Sequence, residues 1–140
     1  MKQDITISIK TKQIVDKQED EIEFMTNGSM YFKEGDCIIE YQEQDDDGLH
    51  GANTTLNICK EKVIVTRDGD FASMLVLENG KRHLCPYNTP AGVMTLGIAT
   101  HSLNNNITTK GGKVLVDYDI EFNHTTSSCN KFELTVWETK

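Results

Sequence analysis

The stretch Lys113-Val114-Leu115-Val116-Asp117-Tyr118-Asp119-Ile120-Glu121-Phe122 decides the fold. Val114, Val116, Tyr118, Ile120 and Phe122 alternate with Lys113, Leu115, Asp117, Asp119 and Glu121. A period of two sends successive side chains to opposite sides of a pleated strand, so this segment has a dry face and a wet one. The pattern recurs towards both ends. Ile5, Ile7 and Ile9 alternate with Thr6, Ser8 and Lys10, and Phe132, Leu134 and Val136 with Lys131, Glu133 and Thr135. Val63 to Thr66 and Phe71 to Leu77 are apolar on nearly every residue, which predicts central strands covered on both sides. No window carries the i, i+3, i+4, i+7 pattern of a long amphipathic helix. Room remains for a short helix at Pro90–Met94 or Ser102–Asn106. Rossmann, P-loop and TIM-barrel readings, which need crossover helices, are excluded.

Turn chemistry divides the strands. Asn27-Gly28, Asp68-Gly69 and Asn79-Gly80 each separate two β-rich runs. These dipeptides tolerate the positive φ that type I′ hairpins require. Gly111-Gly112 is a fourth, weaker turn. The chain reads as an all-β antiparallel meander of about nine or ten strands. Such a meander hides its edges and its apolar side by closing into an up-and-down barrel, with a sandwich as the other solution. Consecutive hairpins favour the barrel, and Gly92 and Gly97 would permit its corners.

With 140 residues, the chain reads as one domain spanning 1–140 and needs no disulfide or metal staple. A net charge of −8 argues against nucleic acid or an anionic membrane as partner. The first nine residues are polar and alternating, so they read as a strand and not as a signal or transit peptide. No apolar window is long enough to cross a bilayer as a helix. These points lead to a cytoplasmic expectation. Cys37, Cys59, Cys85 and Cys129 could pair in three ways, but a reducing cytosol predicts free thiols.

Several runs also carry a family resemblance. Val65-Thr66-Arg67-Asp68-Gly69 is followed by Met74-Leu75-Val76-Leu77-Glu78 and Gly80-Lys81-Arg82-His83. Then come Tyr87-Asn88-Thr89-Pro90-Ala91-Gly92, Met94-Thr95-Leu96-Gly97-Ile98-Ala99-Thr100 and Gly112-Lys113-Val114-Leu115-Val116-Asp117-Tyr118. This order resembles the YwiB-like family, a group of uncharacterised bacterial β-barrel proteins. The resemblance covers nearly the whole chain and is most specific from Gly48 to Tyr118. It implies a calycin-like (lipocalin-like) barrel in the cytoplasm and no particular reaction. Ala91 stands where the family often has an aromatic residue, and Leu77 where a Phe is common. Both departures bear on a pocket lining more than on the fold.

Candidate chemistry is sparse. Asp45-Asp46-Asp47-Gly48 invites a calcium loop, but with Glu43 at position 1 the bidentate Glu of position 12 is replaced by Thr54. A solvated loop is the simpler reading. His83-x-Cys85 is the one close pair of soft ligands, short of the ligand set that zinc needs unless Cys37, Cys59 or His101 joins it. It reads more simply as two alternate residues of one strand, and no metal or cofactor is expected. Asp117 and Asp119 lie about 7 Å apart on one strand face, a spacing that also suits paired carboxylates. No Gly-x-Ser-x-Gly elbow is present, Ser29 follows a turn glycine, and so acidic a chain offers few electropositive settings for a thiolate. Trp137 falls on the face opposite Phe132, Leu134 and Val136 and reads as structural.

The cluster that remains is Arg67, Arg82, His83, Tyr87 and Thr89: both arginines of the chain and a histidine within two neighbouring hairpins. Arginine presents a rigid fork suited to carboxylate or phosphate. Pointing inwards, these residues form a cationic spot in an apolar cavity, the usual composition of a ligand pocket. Pointing outwards, the arginines pair with carboxylates such as Asp68, Asp70 or Glu78. Three functions follow: a module binding a small amphipathic or anionic ligand, an enzyme at the barrel mouth using His83 and an arginine, or an interaction protein using its outer surface.

Overall fold

A computed structural model describes residues 2–44, 50–68, 73–89, 91–122 and 125–139, without the side chains of 43, 44, 50–52, 88, 89 and 125. The period-two segments become ten strands: β1 (Gln3–Val15), β2 (Gln18–Lys33), β3 (Asp36–Gln44), β4 (His50–Ile58), β5 (Lys62–Arg67), β6 (Ser73–Glu78), β7 (Arg82–Thr89), β8 (Gly92–Asn105), β9 (Gly111–Phe122) and β10 (Thr125–Glu138). Every strand pairs antiparallel with its sequence neighbour, and β1 pairs with β10, which closes an up-and-down barrel. No helix occurs among the described residues, and Ser102–Asn105 continues β8.

Alternation fills the inside. Ile5, Ile7, Met30, Ile39, Leu56, Ile58, Val63, Ile98, Val114 and Leu134 are almost wholly buried, with Cys37, Leu77 and Cys85 among them. Among the described residues no second layer covers the wall. Outward Met74 is exposed and outward Ile64 and Val76 keep part of their surface, so the two-sided covering expected for β5 and β6 does not occur. Their outward apolar residues simply form part of the outer surface.

The turns differ from expectation in an instructive way. Asn79-Gly80 is a turn, with Gly80 at φ +73° and the Lys81 N–H donating to the Glu78 carbonyl. Asn27-Gly28 lies inside β2, paired to β1 on one side, while Gly28 pairs with Tyr41 of β3 on the other. Glycine is needed there because a Cβ would run into the Glu40 carbonyl oxygen and the Ile7 side chain. The connections around β2 are Asp16-Lys17 and Glu34-Gly35, all four residues at positive φ. Gly111-Gly112 opens β9, where Val136 and Asn106 backbone atoms crowd in. Gly69 lies outside the described residues.

The lower end, which carries connections 34–35, 59–61, 79–81 and 106–110, is stitched shut. Asn79 donates from its backbone to the Glu61 carbonyl and from Nδ2 to Glu61 Oε2, both at 2.8 Å. Asn105 Nδ2 donates to the Cys59 carbonyl at 3.0 Å. Ile107 packs against the core from below.

Candidate functional site

Arg67 ends β5 on the face that buries Val63 and packs Val65 against the core, so it belongs to the inner wall. Register extends this position sideways: Tyr41 faces Thr54, Thr54 faces Arg67, Arg67 faces Ser73, and Ser73 faces Tyr87. Directly opposed residues on one face bring their Cβ atoms within about 5 Å. Five consecutive strands thus carry one diagonal file of polar inward positions. One step deeper, Ile39, Leu56, Val65 and Leu75 form an apolar file in the same register. The wall is amphipathic, with polar groups above an oily floor.

Two features mark this region. Thr54 is 3% exposed, and its Oγ1 is buried with no hydrogen-bond partner. Inward-facing Val65, Leu75, Leu96, Tyr118 and Ile120 are half-buried, whereas inward residues nearer the lower end are sealed. The Phe24 and Tyr41 rings stand with their centroids 6.3 Å apart. The opposite wall adds Thr100, Tyr118 and Asn130, also in register. Asn130 Nδ2 donates to Ser128 Oγ at 3.0 Å, both residues being buried. Burial raises the Tyr118 hydroxyl above its usual range.

The five residues singled out from sequence are divided by the fold. Arg67 and Tyr87 share the inner file through Ser73. Arg82 corrects the inward expectation: it lies outside, crossing Gly97 to pair with Glu121 at 2.8 Å. Gly97 leaves the space, since a Cβ there would stand 2.8 Å from Arg82 Nη2. The physical reason is parity: Arg82 has the opposite phase to buried Cys85. His83 sits near the lower end with Nε2 2.8 Å from Glu78 Oε1, and this bond, aided by Lys81, holds the Glu78 carboxyl below its ordinary range. The Thr89 side chain lies outside the described residues. Tyr41, Thr54 and Ser73 were not singled out from sequence. The parity of β5 points to Arg67, but the neighbours of Arg67 depend on strand register.

Other candidate chemistry is engaged elsewhere. Cys85 Sγ accepts the Val76 N–H at 3.4 Å, so His83 and Cys85 have separate partners. Asp117 accepts from Ser102 Oγ, while Asp119 bonds His101 Nε2 at 2.8 Å and takes the Cys129 thiol, which raises the thiol's pKa. All four cysteines are free, and burial pushes Cys37 up to about 12. Among the described residues no cluster of three or more metal-ligating side chains forms. Asp45–Gly48, the calcium candidate, lies outside them. An outer recess of about 360 Å³ gathers Lys10, Lys12 and Lys131, but Glu21 and Glu19 already pair with the first two.

Residues 7–134 match the family model described as "Domain of unknown function (DUF1934)". The chain belongs to this family. The "Uncharacterized beta-barrel protein YwiB" of Bacillus subtilis is 25% identical to it over 122 residues, covering 86% of this chain and 84% of that protein. The crystal structure of the Bacillus subtilis ywiB protein superposes with a TM-score of 0.88 at 22% identity, covering 99% of this chain and 94% of that one. That likeness is one of fold, and the closed barrel is consistent with the calycin-like expectation.

Proposed function

We propose that the barrel is a binding protein for a small anionic, amphipathic molecule seated in the upper half of the lumen. The observation that carries this reading is the amphipathic inner wall. Arg67 stands among Tyr41, Thr54, Ser73 and Tyr87, above Val65 and Leu75, which face inwards yet are only half-buried. Mostly apolar walls with a few convergent polar groups suit a small ligand, and a guanidinium suits its acidic end. A cytoplasmic, reducing location fits the four free thiols. Catalysis through His83 and an arginine has less support, because His83 is bonded to Glu78 and Arg82 is on the outer wall.

The test is native mass spectrometry on protein purified from its own host, followed by a thermal-shift screen of organic acids. A co-purifying acid, or an acid-induced rise in melting temperature that Arg67→Ala abolishes, is the expected result. Wild-type protein that carries nothing and shifts with no acid removes the reading.

A further inference from the structure

We infer that the edge of β2 over residues 18–25 is a docking site for an extended segment of another protein. That segment carries lysine or arginine at alternate positions, with apolar residues between them. The surface is separate from the lumen and independent of the binding reading above.

β2 is longer than its ladder with β3. It pairs with β1 from Gln18 to Met30, whereas β3 pairs with it only from Gly28 to Lys33. Residues 18–25 therefore have one ladder, to β1, and their backbone makes no hydrogen bond to any other element among the described residues. All eight are exposed, Ile22 at 65% and Met25 at 61%, although Met30 of the same strand is fully buried. Proteins guard such an edge with proline, with a β-bulge or with charge. This stretch has no proline, and the β1–β2 register runs without a shift, so charge is the one guard in place.

That charge selects the occupant. The stretch holds Glu19, Asp20, Glu21 and Glu23 and no lysine or arginine. Lys12 and Lys10 of β1 pair with Glu19 and Glu21 at 2.6 and 3.2 Å, which leaves Asp20 and Glu23 without an ion pair among the described residues. A second copy does not fit, because pairing edge to edge sets these carboxylates against their own kind. A cationic strand does fit. Glu19, Glu21, Glu23 and Met25 alternate with Asp20, Ile22 and Phe24, and Phe24 stands opposite Ile9 on the inner side. A strand added here takes its main-chain hydrogen bonds from β2. Its cations lie beside the glutamates on one face and its apolar side chains beside Ile22 and Phe24 on the other.

The probe is an eight-residue peptide alternating lysine and valine, titrated into the full chain at about 0.15 M salt. Two comparison peptides carry glutamate for lysine, or four lysines followed by four valines. Wild type should bind the alternating lysine peptide at least about tenfold more tightly than either, and binding should slow amide exchange within residues 18–25. Asp20→Lys with Glu23→Lys should weaken binding about tenfold. Glu34→Lys with Glu138→Lys, the same change of charge at the lower end, should alter it by less than about twofold. Trp137 fluorescence should show both double variants melting as wild type does. The inference falls if wild type does not bind the alternating lysine peptide, or if the three peptides bind equally. It also falls if protection lies outside 18–25, or if the two double variants lose equal affinity. A wild-type dimer in solution whose protection covers 18–25 overturns it in favour of a second copy.

Discussion

Gly28 and Cys37 show how single positions answer to their surroundings. A Cβ at Gly28 would overlap the Glu40 carbonyl oxygen, a backbone atom unable to swing aside. Gly28→Ala should therefore cost about 1–3 kcal/mol in urea unfolding. By contrast, alanine at Gly35, where nothing stands within 4 Å, meets only the strain of positive φ. At Cys37, burial raises the thiol from 9.0 to about 12. A raised pKa means that the folded state retains a proton which the unfolded state releases. This contribution is complete below pH 9 and lost as pH climbs towards 12. Wild type should thus show a falling urea midpoint above pH 9, with a shallower fall in Cys37→Ala. Identical slopes would mean that Cys37 is not the source.

At the scale of strands, the β6–β7 joint is the distinctive one. Among the described residues its ladder has the single register pair Ser73–Tyr87, against six pairs between β5 and β6. Side chains span the remainder: Cys85 Sγ takes the Val76 N–H, and His83 binds Glu78. Because the Glu78 carboxyl is held below its usual 4.5, its contribution is present above that pH and disappears as pH falls through the lowered value. Melting temperature measured from pH 6 to pH 3 should drop more in wild type than in Glu78→Gln. A parallel fall in both would show that the joint does not depend on this hydrogen bond. Sequence patterns foresee β6 and β7 and the Asn79-Gly80 turn between them. The weak ladder is invisible in the sequence, because it depends on where the Cys85 side chain meets the Val76 amide.

For the molecule as a whole, closure through β1 and β10 is what gives every strand a neighbour on both sides. Ten register pairs join these strands, from Ile5–Glu138 to Ile14–Cys129, and Thr139 N–H donates to the Asp4 carbonyl beyond them. Leu134, 1% exposed and opposite Ile9, anchors that seam from within. Leu134→Ala should cost about 2–5 kcal/mol, read from the urea midpoint at unchanged slope. Trp137, the single tryptophan, lies on β10 opposite Thr6 and reports directly on closure. Its fluorescence and the far-ultraviolet dichroism should follow one denaturation curve. Separate curves would mean that the seam opens before the wall melts.

The alternation in β1, β9 and β10 by itself determined an all-β chain with one apolar face, because a two-residue period is a local property of the backbone. The parity of any extended strand also puts Arg67 on the same side as Val63 and Val65. Tertiary structure decided that Asn27-Gly28 is the interior of a long strand, that Arg82 crosses Gly97 to reach Glu121, and that Thr54 stands opposite Arg67. These are matters of register and close approach between strands. They are settled when the wall curls up and packs, and no short window of sequence contains them.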